Sequence, residues 1–303
     1  MGAFFQELAK KLAERWVSLL VLPGVLFIAA SYTGLRLGHA HAVDWTVVVR
    51  EATRIAGDVA KTSGGTQAVL VVVLLLGAAG VGLFVQGLAG VTSALWLGRW
   101  PWPFAPLHRS LTRWRLGRWQ RRGRRKDELR VAHPVGERTP EQQHAIDGEA
   151  AKANRIALAR PGRPTWMGDR VHSVEQIALN RYGVDLTFGW PRLWLVLPDP
   201  VRAEITSANA SFAAAVAVGT WAWPYLVLAA VWWPAGIIGF LVGCTGWVRA
   251  RAAAADLGVL TESALDLHGR ALAVALGVGD PDAVGPLSPD EGAKITDIVR
   301  KGR

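Results

Sequence analysis

Long charge-free stretches dominate the hydropathy pattern of this chain. Residues 16–35 (WVSLLVLPGVLFIAASYTGL) hold no ionisable side chain except Tyr32, although Pro23 and Gly24 interrupt the apolar run. Residues 66–97 are apolar throughout, with Gln86 as the strongly polar side chain of the interior. Residues 211–248 contain no Asp, Glu, Lys, Arg or His. A helix needs roughly 20 apolar residues to cross about 30 Å of hydrocarbon. One charge at its centre would cost about 2.5 to 3.5 kcal/mol. The pattern therefore predicts spans at 16–35 and 66–97 and a helical hairpin in 211–248. Its turn falls either at Trp223-Pro224 or between Trp232 and Gly236. The preference of tryptophan for the interface favours the second.

Between and after these runs the pattern turns polar. Residues 132–163 are rich in Pro, Glu, Gln, Gly and Arg and read as a polar helix with mobile flanks. Residues 169–181 place Val171, Val174, Ile177 and Ala178 on one helical face, with a stop at Tyr182-Gly183. The segment holding Trp190, Leu193, Trp194, Val196 and Leu197 is apolar but too short to span, and Asp199-Pro200 is a helix start. Residues 249–278 read as a leucine-bearing helix and 279–303 as a loose tail with a short helix from Pro289.

The expected fold is an all-α integral membrane protein. It has about four transmembrane helices and a helical cytoplasmic region inserted between the second and third. In order, the segments are an interfacial amphipathic helix (1–15), span 1 (16–35), an external loop or helix (36–65), span 2 (66–97), a basic cytoplasmic region (98–205), the hairpin of spans 3 and 4 (206–248) and a cytoplasmic C-terminal helix and tail (249–303). Composition agrees: 51% of residues are apolar and 15 are tryptophan. A cleavable signal peptide competes for the first run, but Ile28-Ala29-Ala30 is a poor cleavage pattern.

Charge sets the orientation. The chain carries a net +10, and nearly all the excess lies in residues 98–205, densest directly after the second long run. Flanking arginine and lysine bias a loop to the cytoplasm, so this region and both termini are expected inside the bacterial plasma (inner) membrane. The cluster interleaves Trp114 and Trp119 with Arg113, Arg115, Arg118, Arg121, Arg122, Arg124, Arg125 and Lys126, and Leu107, Leu111 and Trp114 recur at helical spacing. Such a helix suits the headgroup layer of anionic lipids. A cytoplasmic protein partner is the second reading of the cluster and nucleic acid the least favoured.

The stretches RYGVDLTFGWPRLWLVLPD, KKLAERWVSLLVLPGVLF and ADLGVLTESALDLHGRALAVALGV resemble a family of multi-pass membrane proteins from high-GC actinobacteria. The resemblance implies membrane residence and carries no activity and no catalytic residue.

The chemistry-bearing residues form no recognisable site. Cys244 is the single cysteine, and His39 and His41 are the only close histidine pair, with Asp44 as a neighbour. No phosphate-cradling glycine loop or nucleophile elbow occurs; the glycines of 66–97 lie in an apolar run and suit close helix packing. No cofactor and no catalytic residue is expected, and the chain reads as a non-enzyme. Ion-coupled carriers hold ionisable groups at membrane depth, whereas these spans offer mainly Gln86, Thr220 and Thr245. Two readings remain: an anchor or scaffold that holds a cytoplasmic partner at the membrane, and a subunit of a homo-oligomeric pore.

Overall fold

The computed structural model describes residues 21–300, and among them every regular element is helical, with no strand. The helices are α1 (Leu22–Leu37), α2 (Trp45–Ala60), α3 (Gly64–Gly87), α4 (Ala89–Trp96), α5 (Ala105–Ala132), α6 (Pro140–Ile156), α7 (Trp166–Tyr182), α8 (Leu186–Val196), α9 (Asp199–Thr220), α10 (Ala222–Leu228), α11 (Trp233–Ala275) and α12 (Pro289–Arg300). Among the described residues, three stretches are long and apolar enough to cross a membrane: Gly64–Trp96, Asp199–Leu228 and Trp233–Ala275. The apolar α1 is shorter, at 16 residues. The expected amphipathic segment 1–15 and the first five residues of the expected first span lie outside the described residues. The chain divides into two compact units, one of residues 1–92 and 214–248, the other of 93–213 and 249–303.

In the first unit, close packing is carried by small residues. A Cβ on Gly24 would collide with the carbonyl oxygen of Ala78, so only glycine lets α1 approach α3 this closely. Gly246 meets Gly219 in the same way where α11 crosses the end of α9. Around these contacts Val85, Trp221, Tyr225, Leu228 and Ala235 form a buried cluster, and Phe27 sets its edge against Tyr225 at 5.3 Å between ring centroids. The polar groups inside it satisfy one another: Thr220 Oγ1 and Trp223 Nε1 both donate to Thr92 Oγ1, at 2.9 and 3.1 Å.

The break between α9 and α10 has a local cause. Pro224 has no N–H to offer the Thr220 carbonyl, and the helix tightens there, with Trp221 N donating to Val218 O three residues back. The reversal of the chain comes later, in residues 229–232, immediately before Trp233-Pro234. Beyond it α11 runs unbroken for 43 residues, so the apolar stretch ending at Val248 and the polar helix expected after it are one element.

Outside the apolar helices, α2 starts on Asp44, whose side chain accepts from Thr46 N. Glu51 accepts from Arg54 and from Tyr32 Oη (2.7 Å), which hold its carboxyl down at about 2.

The second unit is built on α7, α8, α12 and the adjoining parts of α9 and α11. Its core brings Val174, Tyr182, Leu193, Ile205, Leu272 and Ile295 together. Gly183 ends α7 in the left-handed region (φ 70°), and a side chain there would also strike the backbone of α12. That tight approach lets Thr296 Oγ1 donate to Gly183 O (2.7 Å) while accepting from Asp185 N, and lets Arg300 pair with Asp185 at 2.7 Å. The tail expected to be loose is therefore docked through α12, with Ile295 and Val299 buried. Burial, and then the hydrogen bond to Asp266, push the Tyr182 hydroxyl up to about 12.

The polar segment 132–163, expected as a polar helix with mobile flanks, holds that helix at Pro140–Ile156. Gly136 (φ 100°) turns the chain, and Thr139 and Gln142 form a reciprocal capping box that starts α6 at Pro140. Helix α6 then packs along α5 with Ile146, Glu149 and Ala153 buried. The stretch after it is pinned by side chains donated from α5.

Candidate functional site on the basic helix

Helix α5 sorts its cations onto two faces. On the inner face Arg115 forks between Asp169 Oδ2 (2.8 Å) and the carbonyl of Ile156 (2.7 Å), and Trp119 Nε1 donates to Ala157 O (3.0 Å). The other carboxylate oxygen of Asp169 accepts from Gly162 N and Arg163 N, so this buried acid is saturated with donors. One turn along, Arg122 and Lys152 both pair with Glu149, at 3.2 and 2.8 Å. The Lys152 bond first, and Arg122 after it, hold the Glu149 carboxyl below its usual range against the opposing effect of desolvation. Arg115, Trp119 and Arg122 thus hold the second unit together. The sequence grouped them with the cluster because spacing shows only that they are basic or aromatic; their acidic partners lie 27 and 54 positions away.

Most of the remaining members face outward, Lys126 being partly buried, and Arg122 lies at the border between the two faces. Leu107, Trp114, Arg118, Arg121 and Arg125 follow one another at intervals of seven, four, three and four residues, which keeps them on one stripe. Its first part is apolar: Leu107 and Trp114 are each at least half exposed, and Trp102 and Phe104 just before α5 are exposed as well. The second part is arginine. Arg118 stacks over the Trp114 ring at 4.8 Å, joining the two halves. Beside it Arg113 bonds only to the carbonyl of Arg109, and Lys126 pairs with its neighbour Asp127. Arg118, Arg121, Arg122, Arg124, Arg125 and Glu128 line a shallow cleft of about 480 Å³, five guanidinium groups against one carboxylate. Arg121, Arg124 and Arg125 form no ion pair among the described residues. Crowded like charges with open faces favour an anion with several oxygens, which guanidinium forks recognise in pairs.

Elsewhere, no group of three or more His, Cys, Asp and Glu converges to hold a metal among the described residues. His39 Nε2 bonds to the carbonyl of Ala230, and Asp44 is used as the cap of α2. Compared with protein-family models, with curated proteins and with solved structures, the chain finds no match in any of the three.

Proposed function

We propose that this chain is a non-enzymatic anchor and scaffold of the bacterial plasma membrane, of the multi-pass kind its resemblance implies. The apolar helices span the bilayer. The helical unit formed by residues 93–213 and 249–303 stands on the cytoplasmic side, where it holds a protein partner. The aromatic and arginine stripe of α5 rests on anionic lipid headgroups. The observation that carries this reading is the outer face of α5: exposed tryptophan and phenylalanine begin six residues after Trp96 ends an apolar helix, and give way along one stripe to unpaired arginines. Indole rings favour the headgroup layer, and each arginine near an anionic leaflet is worth about 1 kcal/mol.

The pore reading has less to work with. Thr220 bonds to Thr92, and Thr245 bonds back to the carbonyl of Leu241, which leaves the exposed Gln86 to line a path.

The test combines lipid and partner readouts on the full chain. With Arg118, Arg121, Arg124 and Arg125 all changed to Gln, anionic lipid retained through purification is expected to fall several-fold. A defined cytoplasmic protein, cross-linked in cells to the wild-type chain, is expected to be lost while membrane insertion is unchanged. Equal lipid and partner recovery from both chains would contradict the proposal. Dye leakage from liposomes holding the wild-type chain would favour the pore.

A further inference from the structure

The second unit contains an open groove of about 870 Å³, apart from the arginine cleft and lined by α7, α8, α9 and α11. Each helix lends one face. From α8 come Trp190, Pro191 and Trp194, and opposite them stand Val174, Ile205 and Leu257. The size is that of a pocket for a drug-sized molecule and small for a docked helix. The two indoles lie 6.0 Å apart, with their planes 47° from each other. They do not stack face to face on one another, and both are partly buried beside the core of the unit.

The polar lining is sparse and one-sided. Thr187, Thr206, Thr261 and Asn209 supply neutral groups, and Glu175 on α7 is the single charged side chain. Glu175 is about half exposed, and its nearest partner is His172, at 3.3 Å from the same helix. No lysine or arginine lines the groove, in a chain whose net charge is +10. One guanidinium stands behind the wall: a Cβ on Gly258 would come 2.9 Å from Arg170 Nε, an atom fully enclosed by protein. Its Nη2 donates to the carbonyl of Ala255 (3.4 Å).

A half-exposed carboxylate, two indoles and an apolar lining without lysine or arginine form the recognition chemistry of an organic cation. A fatty acid or phosphate would meet Glu175 and find nothing to pair with. We infer that this groove is a binding site for a lipophilic monovalent cation of drug size, with its charge against Glu175 and the tryptophans and its apolar body among Val174, Ile205 and Leu257. The inference stands on the groove itself, and the membrane-anchor reading can fail without affecting it.

The test is saturable binding of radiolabelled tetraphenylphosphonium to the immobilised full chain in a neutral detergent. Radiolabelled tetraphenylborate, nearly identical in shape and opposite in charge, is measured in a separate assay, because the two ions pair and precipitate when mixed. The wild-type chain is expected to bind the cation saturably and to show no saturable binding of tetraphenylborate. Glu175→Gln, a change at an exposed position, is expected to weaken binding about tenfold. Asn209→Arg, which sets a like charge at the lining, should abolish it. Both variants are first shown to unfold at the wild-type temperature. Absence of saturable cation binding, an unchanged Glu175→Gln affinity, or equally tight saturable binding of tetraphenylborate would overturn the inference, the last by showing a plain apolar site of the kind an acyl chain fills.

Discussion

Asp169 carries more of the second unit than its side chain's size suggests. It accepts two backbone N–H bonds and pairs with Arg115 from within the protein, so its loss strands three donors. Removing one partner of a buried pair typically costs about 3 to 5 kcal/mol, because the remaining charge is left without compensation. Asp169→Ala is expected to destabilise the second unit by that amount, measured by thermal unfolding of the detergent-solubilised chain. Glu149 gives a second prediction, read against pH. Its carboxyl is held below the ordinary value of 4.5 in the folded protein, chiefly by Lys152. The stabilisation is therefore whole above about pH 4.5 and is lost as pH falls through the lower folded value. Asp185, opposed by burial and lowered by Arg300, and Glu291, lowered by the Ser288 backbone, act in the same direction. The unfolding temperature is expected to hold from pH 7 down to about pH 4.5 and to drop below it, and Glu149→Gln should be less stable at pH 7 while losing less on acidification. An equal drop in both chains would remove Glu149 from the explanation.

At the scale of elements, packing follows small residues and pairing follows side chains distant in sequence. Gly24→Val would drive two extra carbon branches into the Ala78 backbone, and overpacking of this kind costs about 1 to 3 kcal/mol. A lower unfolding temperature is expected, and restoring glycine should recover it. The apolar helices were legible in the sequence because freedom from charge over 20 or more residues is a local property. The chain reversal near Trp233-Pro234 was half legible, since two proline sites competed and only the geometry around Trp221 shows that Pro224 breaks a helix without reversing it. The docking of α6 was not read. Its start was signalled by Thr139 and Gln142 at capping-box spacing, but its stability depends on Glu149 meeting Arg122 of α5, a contact no local pattern contains. The docking of α12 escaped for the same reason: Thr296 and Arg300 act on Gly183 and Asp185, more than 100 residues earlier. Within the arginine cluster, residue type was legible and its division into inner and outer faces was not.

For the whole molecule, the proposal makes the two compact units differ in solvent. The first carries a half-exposed apolar surface along α3, where Val69, Val71, Val73 and Leu76 all face outward. Lipid covers such a surface without further protein, whereas water would not. The second is a helical body that carries the cationic stripe. Transfer from liposomes of neutral lipid to liposomes rich in anionic lipid is expected to slow hydrogen exchange in α5, with little change in α3. The effect should weaken at high salt, because exposed arginine contacts are screened beyond about 8 Å at physiological ionic strength.

Orientation joins these scales, and single cysteines in a Cys244→Ala background read it in intact cells. Gly57 on α2 and Gly123 on α5 both have open space where a side chain would begin, so cysteine fits at either position without disturbing its helix. An impermeant thiol reagent is expected to label Gly57→Cys in intact cells and to label Gly123→Cys only after the membrane is permeabilised. Labelling of Gly123→Cys from outside, with Gly57→Cys protected, would place the arginine stripe on the wrong side of the membrane and contradict the anchor proposal at its base.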